Sequence, residues 1–171
     1  PTLGTTLEQS ASRVPGKDAL VYPRREQRLT YEEVDAAADR LANALADLGV
    51  GRGDRVSTML YNGTEICLTL YACARLGAVF NPMNYRLPAG EVEFIANDAG
   101  STVMVYEADT AEAVEGARPA LETVEEYVYV PDPGEERGGE TPGGTRGFYD
   151  LLDSGADERP AVAVDEEDVY G

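Results

Sequence analysis

The chain has 171 residues, enough for one α/β domain with a buried core. Apolar residues make up 43% of it, but no apolar run approaches the ~20 residues that span a bilayer and no basic-then-apolar leader opens it, so a soluble, cytoplasmic protein is expected. Thirty-two Asp and Glu against 14 Lys and Arg give a formal charge of −18, which excludes the basic face that nucleic-acid binding needs.

In chain order, residues 7–13 read as a short helix. Residues 19–22 and 28–30 read as two strands of a loose hairpin joined by the polar stretch 23–27. The clearest helix follows. Thr30 and Glu33 form a capping box. Val34, Ala38, Leu41, Leu45 and Leu48 then recur at spacings of 4, 3, 4 and 3, one apolar stripe for a core. Gly49 supplies a left-handed stop.

A turn at Gly51-Arg52-Gly53-Asp54 leads into a strand over residues 55–60. Asn62 is placed to cap a helix over 64–76, with Ile66, Leu70 and Ala74 as its apolar positions beside Cys67 and Tyr71. Cys67 and Cys73 lie about 120° apart around that helix, a spacing that suits neither a shared metal nor a local disulfide, so both read as buried thiols. With no histidine in the chain, zinc sites and His-based catalysis are set aside. Residues 78–81 read as a buried parallel strand, 88–97 as a helix opened by Pro88, and 102–106 as the next strand.

Residues 111–118 are expected to be helical and 127–130 a strand. Residues 131–147, rich in Pro, Gly and acids, are expected to form a flexible acidic loop. Residues 148–152 suit a helical turn, and Val169 with Tyr170 the start of a strand after the acidic run 165–168. Alternation of strand and helix on this scale predicts an α/β fold, a mostly parallel flavodoxin-like sheet with helices on both faces.

Two origins fit the acidity. Nineteen of the 32 acids but only four basic residues follow Gly100, as in an acidic docking tail. The alternative is a surface adapted to molar salt, where a Debye length of about 3 Å makes self-repulsion tolerable. Lys17 is the single lysine among 14 basic residues. A docking tail does not require lysine to vanish from helices, where it is a good former, so salt adaptation is favoured.

Several motifs dissolve on inspection. Gly49-Val50-Gly51-Arg52-Gly53 lies between a helix and a strand, the reverse of the order a dinucleotide fingerprint needs. The consecutive acids 165–168 point in different directions and read as a solvated connector rather than a metal site. No nucleophile–base pair and no glycine-rich phosphate loop is visible.

Longer patterns carry more. Leu29-Thr30-Tyr31-Glu32-Glu33-Val34, Arg40-Leu41-Ala42 and Leu48-Gly49-Val50-Gly51-Arg52-Gly53-Asp54-Arg55-Val56 stand in order, followed by Asn62 and Glu65, then Ala74-Arg75-Leu76-Gly77-Ala78-Val79 and Asn81-Pro82-Met83-Asn84-Tyr85-Arg86-Leu87. Jointly they resemble the opening of the adenylate-forming (AMP-binding) superfamily, and the Asn-Tyr-Arg-Leu version is most similar to fatty-acyl and related acyl-CoA synthetases. The resemblance implies that residues 1–171 are a partial N-terminal domain, cut before a phosphate loop. It implies a parent enzyme that uses ATP, magnesium and CoA on a carboxylic acid, with no cofactor bound to this fragment and no catalytic residue in it. The expected partner is the remainder of the parent, with self-association through the unfinished face. One site residue carries over. Arg86 matches an arginine that contacts a phosphate of CoA in some relatives, consistent with its forked donors; an arginine on a loop rim paired with Glu91 fits the residue equally. An adenylating enzyme without a CoA step and a stand-alone acidic interaction module stay open as alternatives.

Overall fold

A computed structural model describes residues 2–23, 26–132 and 140–169. The elements run α1 (Leu3–Arg13), β1 (Asp18–Tyr22), β2 (Gln27–Thr30), α2 (Tyr31–Asp47), β3 (Arg55–Met59), α3 (Thr64–Leu76), β4 (Val79–Pro82), α4 (Ala89–Ala99), β5 (Ser101–Glu107), α5 (Ala111–Ala117), β6 (Glu126–Val130), β7 (Arg146–Gly147) and α6 (Phe148–Ser154).

Local chemistry explains most boundaries. The capping box at α2 forms in full: Thr30 N–H donates to Glu33 Oε2 at 2.8 Å and Glu33 N–H to Thr30 Oγ1 at 3.4 Å. Val34, Ala38, Leu41 and Leu45 are all buried, and Gly49 takes a φ of 94°, a conformation that glycine adopts without strain. Helix α1 starts four residues before the expected Leu7, because Thr2 accepts from Thr5 N–H at 3.2 Å and caps it. Asn62 does not cap α3; Gly63 holds that position with no side-chain bond. The packed face of α3 also differs from expectation. Leu68, Ala72, Cys73 and Leu76 are buried along with the expected Ala74, whereas Ile66 and Leu70 are only partly covered. A helix apolar on most sides leaves that choice to its neighbours. Cys73 is buried and Cys67 half-buried, which corrects the reading of two buried thiols.

β1 and β2 form the expected antiparallel hairpin. The other five strands form one wholly parallel sheet in the order β4-β3-β5-β6-β7. Counted within that sheet, this is second-first-third-fourth-fifth, the flavodoxin-like order. β5 shows how both faces are filled. Val103 and Val105 pack with Val34, Leu41, Leu68 and Phe148, while Met104 and Tyr106 pack with Val92, Ala96 and Val114 of α4 and α5. Helices α1, α2, α3 and α6 therefore cover one face and α4 and α5 the other. A polar row interrupts the apolar strands. Asn81 Nδ2 donates to Ser57 Oγ at 2.8 Å, and Ser57 and Ser101 hydroxyls meet at 2.5 Å across β4, β3 and β5.

Residues 133–139, within the 131–147 stretch expected to be a flexible loop, lie outside the described residues. Arg146 and Gly147 at its end pair with β6. Val169 is exposed and outside any strand; Tyr170, the second residue of that expected strand, is not among the described residues.

Candidate functional site

In a sheet of this order, ligands bind outside the carboxyl ends of the strands, where strand order reverses. That switch point lies between β3 and β5. Glu107 ends β5 there, 6% exposed, and its Oε2 accepts from Tyr61 N–H just past β3 at 2.8 Å. Thr110 completes the closure by donating to the Met59 carbonyl at 2.7 Å and accepting from Glu107 N–H at 3.2 Å. A carboxylate thus occupies the place where an anionic ligand would otherwise meet backbone N–H groups. Among the described residues, no group of three His, Cys, Asp or Glu side chains is placed to share a metal ion.

Beside this crevice, the segment after β4 carries Asn84, Tyr85 and Arg86. Tyr85 packs against Tyr61 with ring centroids 4.1 Å apart. The Arg86 guanidinium lies 5.2 Å from the Tyr85 ring centre, and its backbone N–H donates to Asn84 Oδ1 at 3.0 Å. Arg86 is exposed and forms no ion pair among the described residues. The pairing with Glu91 weighed from sequence is not formed. The residue can present its forked donors to a phosphate at the carboxyl edge of the sheet, and it is a single contact rather than a built pocket.

Sequence reasoning missed three charged features. Glu65 is 4% exposed and takes hydrogen bonds from the Tyr149 hydroxyl and, at 3.4 Å, from Gln27 Nε2. Burial, and then the Glu65 charge, push the Cys67 thiol up. Arg75, at the end of α3, donates from Nε to Asp39 Oδ1 at 2.8 Å and from Nη1 to the Gly4 carbonyl at 2.5 Å, and it also pairs with Asp35. The Gln27-Thr64-Glu65-Tyr149 network borders a groove of about 500 Å³ between β2, α2, α3 and α6, floored by Leu29, Ala37 and Leu68. Arg28, Arg40 and Asp153 rim it, a mixture of charges that selects no one ligand class. The third is the acidic connector. Arg52 Nη2 meets Asp168 Oδ1 at 2.5 Å and Asp165 Oδ2 at 3.4 Å, so two of these acids hold an arginine, while Asp165, Glu166 and Glu167 stay exposed as in the expected solvated connector. The hydrogen bond from the Asp165 N–H, and then the Arg52 guanidinium, hold the Asp168 carboxyl below its ordinary range.

The sequence pattern of the AMP-binding enzyme family matches residues 7–170. The chain belongs to that family. It is 34% identical over 169 residues to the long-chain-fatty-acid–CoA ligase FadD13 of Mycobacterium tuberculosis, a match covering 97% of this chain and 31% of that protein. A long-chain-fatty-acid–CoA ligase of Thermus thermophilus is 33% identical over 132 residues, 76% of this chain and 24% of its own length. The solved structure of a Mycobacterium tuberculosis fatty acyl CoA synthetase superposes with a TM-score of 0.84 at 34% identity, covering 98% of this chain and 31% of that one. The chain thus spans about a third of the length of the relatives it matches. No helix among the described residues is long and apolar enough to cross a membrane.

Proposed function

We propose that residues 1–171 are the N-terminal part of the large domain of an AMP-forming acid–CoA ligase, a cytoplasmic enzyme acting on a fatty acid or related acid. The observation that carries this is the match of nearly all of this chain, in sequence and in fold, to about a third of a long-chain-fatty-acid–CoA ligase and of a fatty acyl CoA synthetase. In the proposed reaction, a carboxylate oxygen attacks the α-phosphorus of ATP and the bond to the bridging oxygen breaks, releasing pyrophosphate. The CoA sulfur then attacks the acyl carbon and AMP leaves. Donors and magnesium aimed at the developing phosphate charge do most of such work. On this reading they belong to the rest of the enzyme, because the switch point of this chain presents a carboxylate instead.

This segment supplies scaffold, and the remainder of the parent is its partner. Arg86 is its one proposed ligand contact, to a phosphate of CoA. Exposure at the carboxyl edge and freedom from an acidic partner among the described residues support that role. The acidic surface with its single lysine is read as adaptation to high salt, and isolated copies of the chain are expected to associate through faces the parent covers. Pyrophosphate release with ATP, magnesium and a panel of fatty acids tests the reading. The 171-residue chain alone should stay at background, and a polypeptide carrying the rest of the ligase should turn over. In the latter, Arg86→Ala should raise KM for CoA several-fold with KM for ATP unchanged. Turnover from the chain alone, or an unaltered KM for CoA, refutes the corresponding part.

A further inference from the structure

After α6 the chain runs from 156 to 168 without helix or strand and almost wholly exposed, yet side chains of the body hold it at three places. Asn43 Nδ2 donates to the carbonyls of Ala156 and Glu158 at 2.8 and 2.6 Å. Arg159 reaches Glu8 of α1 at 2.5 Å and Asp35 of α2 at 3.0 Å. The last anchor has the most built geometry. Arg52 Nε and Nη2 donate to Asp168 Oδ1 at 3.0 and 2.5 Å, while Asp168 Oδ2 accepts from Asp165 N–H at 2.8 Å. Both oxygens of one carboxylate are therefore used, and that side chain is 12% exposed against 75% for Asp165.

The body is shaped for this contact. Gly53 N–H donates to the Gly77 carbonyl at 2.8 Å, which fixes the turn carrying Arg52 against the end of α3. Gly77 has a φ of 65°, and a Cβ there would lie 3.1 Å from Arg52 Cγ and 3.5 Å from Asp168 Oδ2. The glycine serves the helix stop and the close approach of strap and turn together.

We propose that Arg52 and Asp168 are positioning residues that latch the 156–168 strap to the turn before β3, and so fix where the polypeptide enters the ATP-handling part of the ligase. The second half of that statement rests on the ligase reading above; the latch itself does not. An unlatched strap regains chain entropy that each ATP-binding event must then remove. Small misplacements of a reacting group carry large rate penalties.

Hydrogen exchange on the 171-residue chain tests the latch directly. Arg52→Ala and the milder Asp168→Asn should speed exchange of the Asp165 and Asp168 amides while β3, β5 and β6 keep their protection. Arg52→Lys should fall between. Unchanged exchange, or a uniform loss across the sheet, overturns the latch. In a ligase polypeptide containing this chain, Arg52→Ala should lower kcat/KM for ATP by about tenfold to a hundredfold with KM for the acid unchanged. The reversed pair Arg52→Glu/Asp168→Arg should recover part of the loss, which ties it to this pair, and a merely structural role does not predict a loss confined to ATP. An unaltered kcat/KM for ATP in an active enzyme overturns the positioning role. A wild-type polypeptide without acid-dependent pyrophosphate release defeats the ligase reading instead, and the exchange result still decides the latch.

Discussion

Replacing Arg75 by methionine should destabilise the chain far more than any surface charge change. The Arg75 side chain is 4% exposed and that of Asp39 8%. The substitution leaves the Asp39 carboxylate and the Gly4 carbonyl inside without their donor, although methionine fills most of the space. Breaking one partner out of a buried pair costs roughly 3–5 kcal/mol. Arg159 lies 3.5 Å from Asp39 and can take up part of the charge, so the lower end, about 3 kcal/mol, is expected. Against a total of some 5–15 kcal/mol that is a large fraction, and for a chain of this size it lowers Tm by about 6–12 °C. The double substitution Arg75→Met/Asp39→Leu should regain most of the loss, since apolar replacements of a buried pair are often neutral. Asp35 and Arg159 keep each other at 3.0 Å in that variant. Urea unfolding at constant m-value measures both. A single-variant loss below about 1 kcal/mol, or a double variant no better than the single, refutes the reasoning.

Salt should act in opposite directions on two parts of the molecule. Raising potassium chloride from 0.1 M towards molar shortens the Debye length from about 10 to 3 Å, which relieves the self-repulsion of a −18 chain and should raise Tm. The same screening weakens the exposed pairs of Arg52 and Arg159, so proteolytic cutting within 156–168 should increase. A flat or falling Tm would sink the salt-adaptation reading. Burial pushes the Cys73 thiol up to about 12, so a disulfide reagent at pH 8 should leave it untouched until the chain unfolds. Half-buried Cys67 should react more slowly than a free thiol. Rapid reaction of both in the folded chain contradicts the packing of α3.

Features set by neighbours in sequence were legible. Thr30 and Glu33 lie three apart, and the apolar stripe of α2 repeats within a few turns, so the cap, the helix and its buried face all follow from local rules. Four of the five parallel strands were legible as short runs between helices; the two-residue β7, at the end of the stretch expected to be a loop, was not. The side of α3 that packs was not, because that helix carries apolar groups nearly all round. Nor were the buried charges. Arg75 finds Asp39 across 36 positions and Tyr61 finds Glu107 across 46, separations at which no periodicity speaks. Arg52 shows the same limit at a candidate site. Its glycine-flanked setting announced a turn, and nothing near it announced a partner 116 residues away. Arg86 came from family resemblance, and its tyrosine neighbour at 85 from adjacency.

The polar row of Asn81, Ser57 and Ser101 bears on how the strands find their alignment. Parallel strands covered on both faces are apolar almost throughout. Sliding one by a residue therefore exchanges one apolar contact for another, and hydrophobicity alone discriminates poorly between alignments. Ser57 lies directly opposite Asn81, and only in that alignment do the amide and the two hydroxyls find one another. Any slip strands buried polar groups at about 1–3 kcal/mol each. Three small side chains thus index β4, β3 and β5 against one another, and their loss should loosen alignment before it loosens the core.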